Sequence, residues 1–357
     1  MHGGRIRGQG TYGCVFQPAL LCRGMDTMID GTKVGKITSY EDAENEIRIA
    51  NHLRKLPDSS LYTILPESKS CVPRARSKQQ DKDIKECEFT DTTPLDKTIQ
   101  LIMPWGGYPL SRINLDPISF NYYTFIENML AIGTYFILND VCHFDIWGQN
   151  ILFDNKTKPR LIDYGFAFQP SKLKQSDLPA RWRVIAVDHD TETPEVTLMI
   201  GKQHGLEPAS LAREVQLSKP AVQRLVTLCD VTPSDWANEL VEWSQESQTF
   251  QHHNWLGCWK LYWPGFDAWS IGALLLQVLE LQIAIPSFSQ SAEWKKHGSH
   301  VKHIMRGLCR GNPANRIDAA EALSEWTNGA HPLIADGSIG SDWVYEKKRQ
   351  RQNIHHF

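Results

Sequence analysis

Two short stretches constrain this chain more than anything else in it: His143-Phe144-Asp145-Ile146-Trp147-Gly148-Gln149-Asn150 and, soon after, Leu161-Ile162-Asp163-Tyr164-Gly165. They set two carboxylates and a carboxamide close together in sequence. An Asp in such a loop can receive a hydroxyl proton, and Asn and Asp oxygens are the donors magnesium takes. An apolar run ending in Asp-x-Gly reads as a strand that turns a carboxylate toward a cation. Taken singly, an Asp beside a His is a capped loop residue and Asp-x-Gly is a turn, so order, spacing and company carry the reading.

That company starts near the N-terminus. Gly8-Gln9-Gly10-Thr11-Tyr12-Gly13-Cys14-Val15 reads as a glycine-rich turn leading into a strand, and its glycines let the backbone lie close over phosphates. A hairpin has the same composition. The next candidate strand, Thr32 to Ile37, supplies Lys36 among small and apolar residues, a lysine able to reach phosphates as a point charge. Tyr40 to Leu53 then reads as an amphipathic helix whose early acids also suit the helix dipole.

In this order, the glycine turn, strand lysine, loop Asp and Asn and the later Asp resemble the eukaryotic-type protein kinase family. The resemblance implies an α+β, two-lobed protein-kinase-like fold, with a small strand-rich N-terminal lobe and a larger helical C-terminal lobe. It implies ATP and Mg2+ as cofactors. Asp145 would accept the hydroxyl proton, Asn150 and Asp163 would hold magnesium, and Lys36 would hold the phosphates. Glu46 would pair with Lys36, favoured over Glu44 because Ile49, Ala50 and Leu53 follow it at the family's spacing. The turn from Gly8 through Gln9, Gly10, Thr11, Tyr12 and Gly13 to Val15 would cover the nucleotide, and the hinge Met103-Pro104-Trp105 would meet its adenine through backbone groups.

Two later stretches extend the resemblance, which covers roughly Gly8 to Trp326. Phe266-Asp267-Ala268-Trp269 resembles the family's buried helix whose Asp braces the catalytic loop. Asn315-Arg316-Ile317 resembles its late Arg motif, whose partner would be Glu195 in Thr193-Pro194-Glu195. Shorter strings, among them Gly13-Cys14-Val15-Phe16, are similar to the serine/threonine protein kinases of large nucleocytoplasmic DNA viruses. Host cytoplasm or a virion is the location this implies. The expected organisation is an N-lobe over 1–105, a C-lobe over 106–328 with an insertion at about 196–262, and a tail over 329–357.

Departures from the family pattern bear on function. Phe144 stands where the family has the arginine that contacts a phosphorylated activation segment, so switching by phosphorylation of that loop is not expected. Trp147 stands where protein-serine/threonine kinases have a phosphate-contacting lysine, and a Trp there is similar to small-molecule kinases of the same fold. Tyr164 keeps an aromatic anchor in place of Phe. The insertion carries His204, His252, His253, Cys229 and Cys258 without tight ligand spacing, together with Trp236, Trp243, Trp255, Trp259 and Trp263. It reads as a small helical subdomain with its own core, or as a partner-docking surface if the tryptophans are exposed.

Net charge of −3 argues against a general nucleic-acid-binding surface. The eight cysteines show no Cys-x-x-Cys pair, which suggests free thiols in a reducing, cytoplasmic compartment. The apolar run Ile271 to Ile285 is interrupted by Gln277, Glu280 and Gln282 and reads as a core helix, with no membrane association. Asp116-Pro117 is expected to start a helix through about Leu138. The basic stretch Lys347 to Arg351 reads as a solvated tail. The functional expectation is transfer of the ATP γ-phosphate to Ser or Thr hydroxyls of a protein substrate. The alternatives are a small-molecule kinase of the same fold and a pseudokinase scaffold.

Overall fold

A computed structural model describes residues 4–10, 13–24, 31–79, 83–154, 158–182 and 185–354. The chain is a mixed α+β protein with a small antiparallel sheet near the N-terminus and a helical C-terminal region. It divides into two compact units: Met1–Tyr108 with Leu152–Asn155 and Arg160–Ala167, and Pro109–Ile151 with Lys156–Pro159 and Phe168–Phe357. The first unit therefore takes back the Asp163 segment from far along the chain, which no continuous boundary at 105 describes.

In the first unit, β1 (Arg5–Gly10), β2 (Gly13–Gln17), β3 (Lys33–Thr38), β4 (Ser70–Cys71) and β5 (Ile99–Pro104) form one sheet in the order β1-β2-β3-β5-β4. Its pairings are all antiparallel. Alternation sets Val34 against α1 (Tyr40–Leu53) in a cluster with Ala43, Leu101 and Met103. On the other face, Cys14, Phe16 and Ile37 pack with Leu20, Ile84, Cys87 and Leu95. Ser39 starts α1 by accepting the Asp42 backbone N–H at 3.1 Å. The single turns α2 (Ser59–Tyr62) and α3 (Phe89–Thr92) lie in the connection between α1 and β5.

This unit corrects the reading of eight free thiols. Cys14 is bonded to Cys87 and Cys22 to Cys71, across 73 and 49 residues. Cys142, Cys229, Cys258 and Cys309 are free and buried. The paired cysteines are distant in sequence and adjacent only after the sheet folds, so spacing alone gave no sign of them. The inference of a reducing, cytoplasmic compartment loses its basis with them.

A second sheet, β6 (Tyr108–Pro109), β7 (Ile151–Phe153) and β8 (Pro159–Leu161) in the order β6-β7-β8, contains residues at which the chain changes unit. The second unit is otherwise helical. Its helices are α4 (Tyr122–Leu138), α5 (Pro194–Gln203), α6 (Pro208–Ser218), α7 (Pro220–Cys229), α8 (Pro233–Glu246), α9 (Gln248–Gln251), α10 (Trp255–Ile283), α11 (Pro286–Ser289), α12 (Ala292–Leu308), α13 (Ala319–Thr327) and α14 (Ile339–Ile354). Proline occupies the first position of α5, α6, α7 and α8, where its missing N–H costs nothing. Helix α4 begins at Tyr122 rather than at Asp116-Pro117. Asp116 caps its own turn through the Ile118 N–H, and Asn121 is the residue that accepts from Thr124 N at 2.9 Å.

The insertion is not a subdomain with a separate core, because α7 packs on α10 and α12. Nor does it present tryptophans to solvent. Trp236, Trp243, Trp255, Trp259 and Trp263 are all buried, with Trp236 Nε1 donating to Cys309 O at 2.8 Å and Trp259 set against Phe266. The docking surface expected from exposed tryptophans is therefore absent.

Helix α10 is long and apolar enough to cross a membrane by length and composition, and 78% of its apolar window is buried in the protein. The C-terminal stretch is a helix, and Lys348, Arg349 and Gln350 on it are exposed, as expected of a solvated stretch. Trp343 Nε1 donates to Asp318 at 2.8 Å, and Arg351 pairs with Glu321.

Candidate active site

In the first unit a row of paired residues runs across the sheet: Gly8 opposite Val15, Val15 opposite Lys36, and Lys36 opposite Leu101. Directly paired residues point to the same face. That face meets α1, whose buried stripe is Ala43, Glu46, Ile49, Ala50 and Leu53, at helical spacing. Glu46 therefore points inward and Glu44 is exposed. Lys36 Nζ lies 2.8 Å from Glu46 Oε2 and 2.6 Å from Asp163 Oδ1.

This triad is electrostatically tight. Burial opposes the Lys36 charge, but Asp163 and Glu46 outweigh it and hold the lysine above its usual range. Burial raises the Glu46 carboxyl, Lys36 pulls it down and Asp163 adds to the rise, with a net upward shift. Glu46 Oε1 has no hydrogen-bond partner among the described residues.

Asp163 sits on a left-handed backbone, φ 66°, a conformation that a non-glycine residue holds only where neighbours enforce it. Asn45 supplies part of that hold. Its Nδ2 donates to the carbonyls of Tyr164, Gly165 and Ala167 at 3.2, 2.6 and 3.0 Å. Sequence reasoning missed Asn45 because its partners are more than a hundred residues away. The one available signal was its position beside Glu46.

Gly8, Gln9 and Gly10 are exposed. A methyl group at Gly8 or Gly10 would meet nothing within 4 Å, so the backbone there is open to a ligand. Gly13 is different: at φ 154° its missing Cβ makes room for the Ile37 carbonyl. Gln9 pairs with Cys14 in the same ladder, while Thr11 and Tyr12 lie outside the described residues. Val15 and Trp105 pack on the cluster that contains Met103, so three proposed nucleotide contacts share one apolar wall. The hinge amides are more restricted than expected. Pro104 has no N–H, and that of Trp105 is given to Thr32 O at 2.9 Å, so neither donates to an adenine.

The second unit holds the other half of the proposed set. Asn150 Nδ2 donates to Asp145 Oδ2 at 2.8 Å and to Asp145 O at 2.9 Å, which fixes the carboxylate and directs the Asn oxygen elsewhere. Asp267, buried, accepts from His143 N at 2.7 Å and from Phe144 N at 2.8 Å. Burial raises its carboxyl, and the amides and His143 resist that rise. These bonds hold Phe144 at φ 61°, with its ring 4.8 Å from Trp259 and 5.6 Å from Phe266. Trp147 is 44% exposed, two residues from Asp145.

Taken each in its own unit, Asn150 offers a neutral amide oxygen and Asp163 a carboxylate oxygen, both of the hard-donor type that magnesium takes. Among the described residues no group of three or more His, Cys, Asp and Glu is placed to hold a metal ion. Comparison with known proteins adds nothing to this geometry: no family model matches the chain, and no curated protein matches it.

Proposed function

We propose that the chain is an ATP- and magnesium-dependent phosphotransferase with a protein-kinase-like fold, transferring the γ-phosphate to Ser or Thr hydroxyls of proteins. The observation that carries this reading is the buried Lys36, held between Glu46 and Asp163. A lysine kept charged away from water by two carboxylates is poised to exchange one of them for a phosphate when a nucleotide binds. In the second unit Asp145 has the acceptor's task. Its carboxylate is oriented by Asn150 and can take the hydroxyl proton as the hydroxyl oxygen bonds to the γ-phosphorus and the bond to the bridging oxygen breaks, ADP leaving with that oxygen. When bound, magnesium would neutralise the phosphates and orient them for in-line transfer, with Asn150 and Asp163 as its protein ligands. The exposed backbone of Gly8 to Gly10 suits a cover over those phosphates.

One observation favours a small acceptor instead: the half-exposed indole of Trp147 beside Asp145 could wall an apolar or sugar ring. Labelled γ-phosphate offered with generic proteins and amino sugars side by side separates these readings. Label on protein supports the main reading, and label on sugar supports the small-molecule one. Nucleotide binding without transfer marks a pseudokinase scaffold.

A further inference from the structure

The segment 188–193 leads into α5 just ahead of Glu195, and its backbone is held from two directions. Helix α10 provides the first: Trp269 Nε1 donates to Asp190 O at 3.1 Å and Ser270 Oγ to Thr191 O at 2.7 Å. These residues follow closely on Asp267, which grips the amides of His143 and Phe144. One helix thus fixes both this segment and the loop that carries Asp145.

The insertion provides the second. Lys219, at the N-terminal boundary of α7 and wholly buried, donates from Nζ to His189 O at 2.6 Å and to Glu192 O at 3.2 Å. Arg224 gives Nη1 to Asp190 Oδ2 at 2.6 Å and Nε to Glu280 Oε2 at 2.8 Å, which ties the segment to α10 as well. A buried lysine is unfavourable unless its donors are used, and a methionine would fill the same space at lower cost. Here the donors meet backbone carbonyls of an irregular segment that has no regular ladder to satisfy them.

We propose that α7 is a built-in clamp: Lys219 and Arg224 are positioning residues that hold segment 188–193 in one geometry beside the loop carrying Asp145, so that acceptor engagement needs no phosphorylation of this segment. The proposal rests on the phosphotransferase reading. Phe144 agrees with it, because the residue before Asp145 is an aromatic ring packed on Phe168, Trp259 and Phe266 and brings no cation to a phosphate. The clamp does not depend on the lysine charge, since a neutral amine keeps two N–H donors for two carbonyls. It also gives the insertion a role in place of the docking surface.

The test combines hydrogen–deuterium exchange across 188–193 with phosphate transfer to a generic protein acceptor, using phosphatase-treated full-length chain. In Lys219→Met, exchange in this segment is expected to rise about fivefold, as loss of a hydrogen bond worth about 1 kcal/mol would produce, with α4 and α10 unchanged. KM for the acceptor should rise while KM for ATP stays fixed, a split that a merely structural loss would not give. Should Lys219→Met fail to fold, the partly exposed Arg224→Gln decides by the same readings. Unchanged exchange in the variants overturns the clamp, and so does loss of parental transfer on phosphatase treatment. Raised exchange with no transfer by the parent to any acceptor supports the clamp and sinks the phosphotransferase reading alone.

Discussion

Arg316 and Glu195, 121 residues apart in sequence, form a two-pronged ion pair with no solvent exposure of either side chain. Nη1 lies 2.7 Å from Oε1 and Nη2 2.9 Å from Oε2. The guanidinium also donates to Gly265 O and Arg310 O and lies over the Trp269 ring, so its remaining donors are used. Such a pair adds little net stability over an apolar substitute, yet breaking it leaves one charge stranded. Arg316→Ala is therefore expected to destabilise the second unit by about 3–5 kcal/mol, measured by denaturant unfolding. The double replacement Arg316→Met with Glu195→Leu should cost less than the single one. A single variant within about 1 kcal/mol of the parent would mean the pair is dispensable.

That pair shows what was legible in the sequence. Glu195 follows a proline at a helix start and Arg316 precedes a helix capped by Asp318, so local signals placed both and the family pattern joined them. Glu46 was legible through the resemblance, because Ile49, Ala50 and Leu53 follow it at the spacing that the resemblance implies. Asn45, Lys219 and the two disulfides were not, since each depends on partners that only the tertiary fold brings near. The insertion was misread for a related reason. Trp255, Trp259 and Trp263 recur every four residues along α10, and Trp236 and Trp243 of α8 pack on its Trp269 and Tyr262, contacts between helices that the sequence alone does not reveal.

The Asp163 and Asp145 assignments separate by what each loss does. Asp163→Ala removes one partner of Lys36 and, on the proposed reading, a metal oxygen, and should abolish magnesium-dependent ATP binding in titration calorimetry while the chain stays folded. Asp145→Asn keeps the hydrogen-bonded volume near Asn150 and should bind nucleotide as the parent does. Its turnover should fall about 10²- to 10⁴-fold, the range for losing a general base. Full activity in the first variant, or lost nucleotide binding in the second, would move these roles elsewhere.

The disulfides make the first unit sensitive to reductant. Each closes a long loop, so reduction frees conformations in the unfolded chain and should lower stability by about 2–4 kcal/mol per bond. Calorimetry with and without dithiothreitol checks this, with Cys14→Ser and Cys22→Ser expected to reproduce the effect singly. A melting temperature indifferent to reductant would show that neither bond contributes.

Lys219 gives a pH signature of stability. Burial pushes its amine down to about 8 from 10.5, against the pull of Glu192, Asp190, Asp188 and Glu195. Between those values the unfolded chain holds a proton that the folded chain has lost, so stability rises with pH across about 8 to 10.5. The total is roughly 3 kcal/mol, and below pH 8 the burial penalty is fully present. Urea unfolding of parent and Lys219→Met across this range should differ in slope, the variant lacking the rise. Parallel slopes would mean that the amine stays protonated throughout.

Trp147 bears most directly on the acceptor of the proposed transfer. Its indole is half-exposed two residues beyond Asp145, and the turn that carries it closes through the Asn150 N–H bond to Trp147 O at 2.9 Å. A lysine at this place would add positive charge two residues from Asp145, the proposed base, without disturbing that backbone bond. If the acceptor is a protein hydroxyl, Trp147→Lys should raise or preserve kcat/KM on protein substrates. If the indole walls a small acceptor, the same change replaces packed aromatic surface with an ammonium and should destroy acceptor binding. The two acceptor classes thus predict opposite signs, and kcat/KM of variant and parent on each, at saturating ATP and fixed magnesium, distinguishes them. A fall on peptides beyond about tenfold, roughly 1.4 kcal/mol of transition-state stabilisation, would count against the protein acceptor.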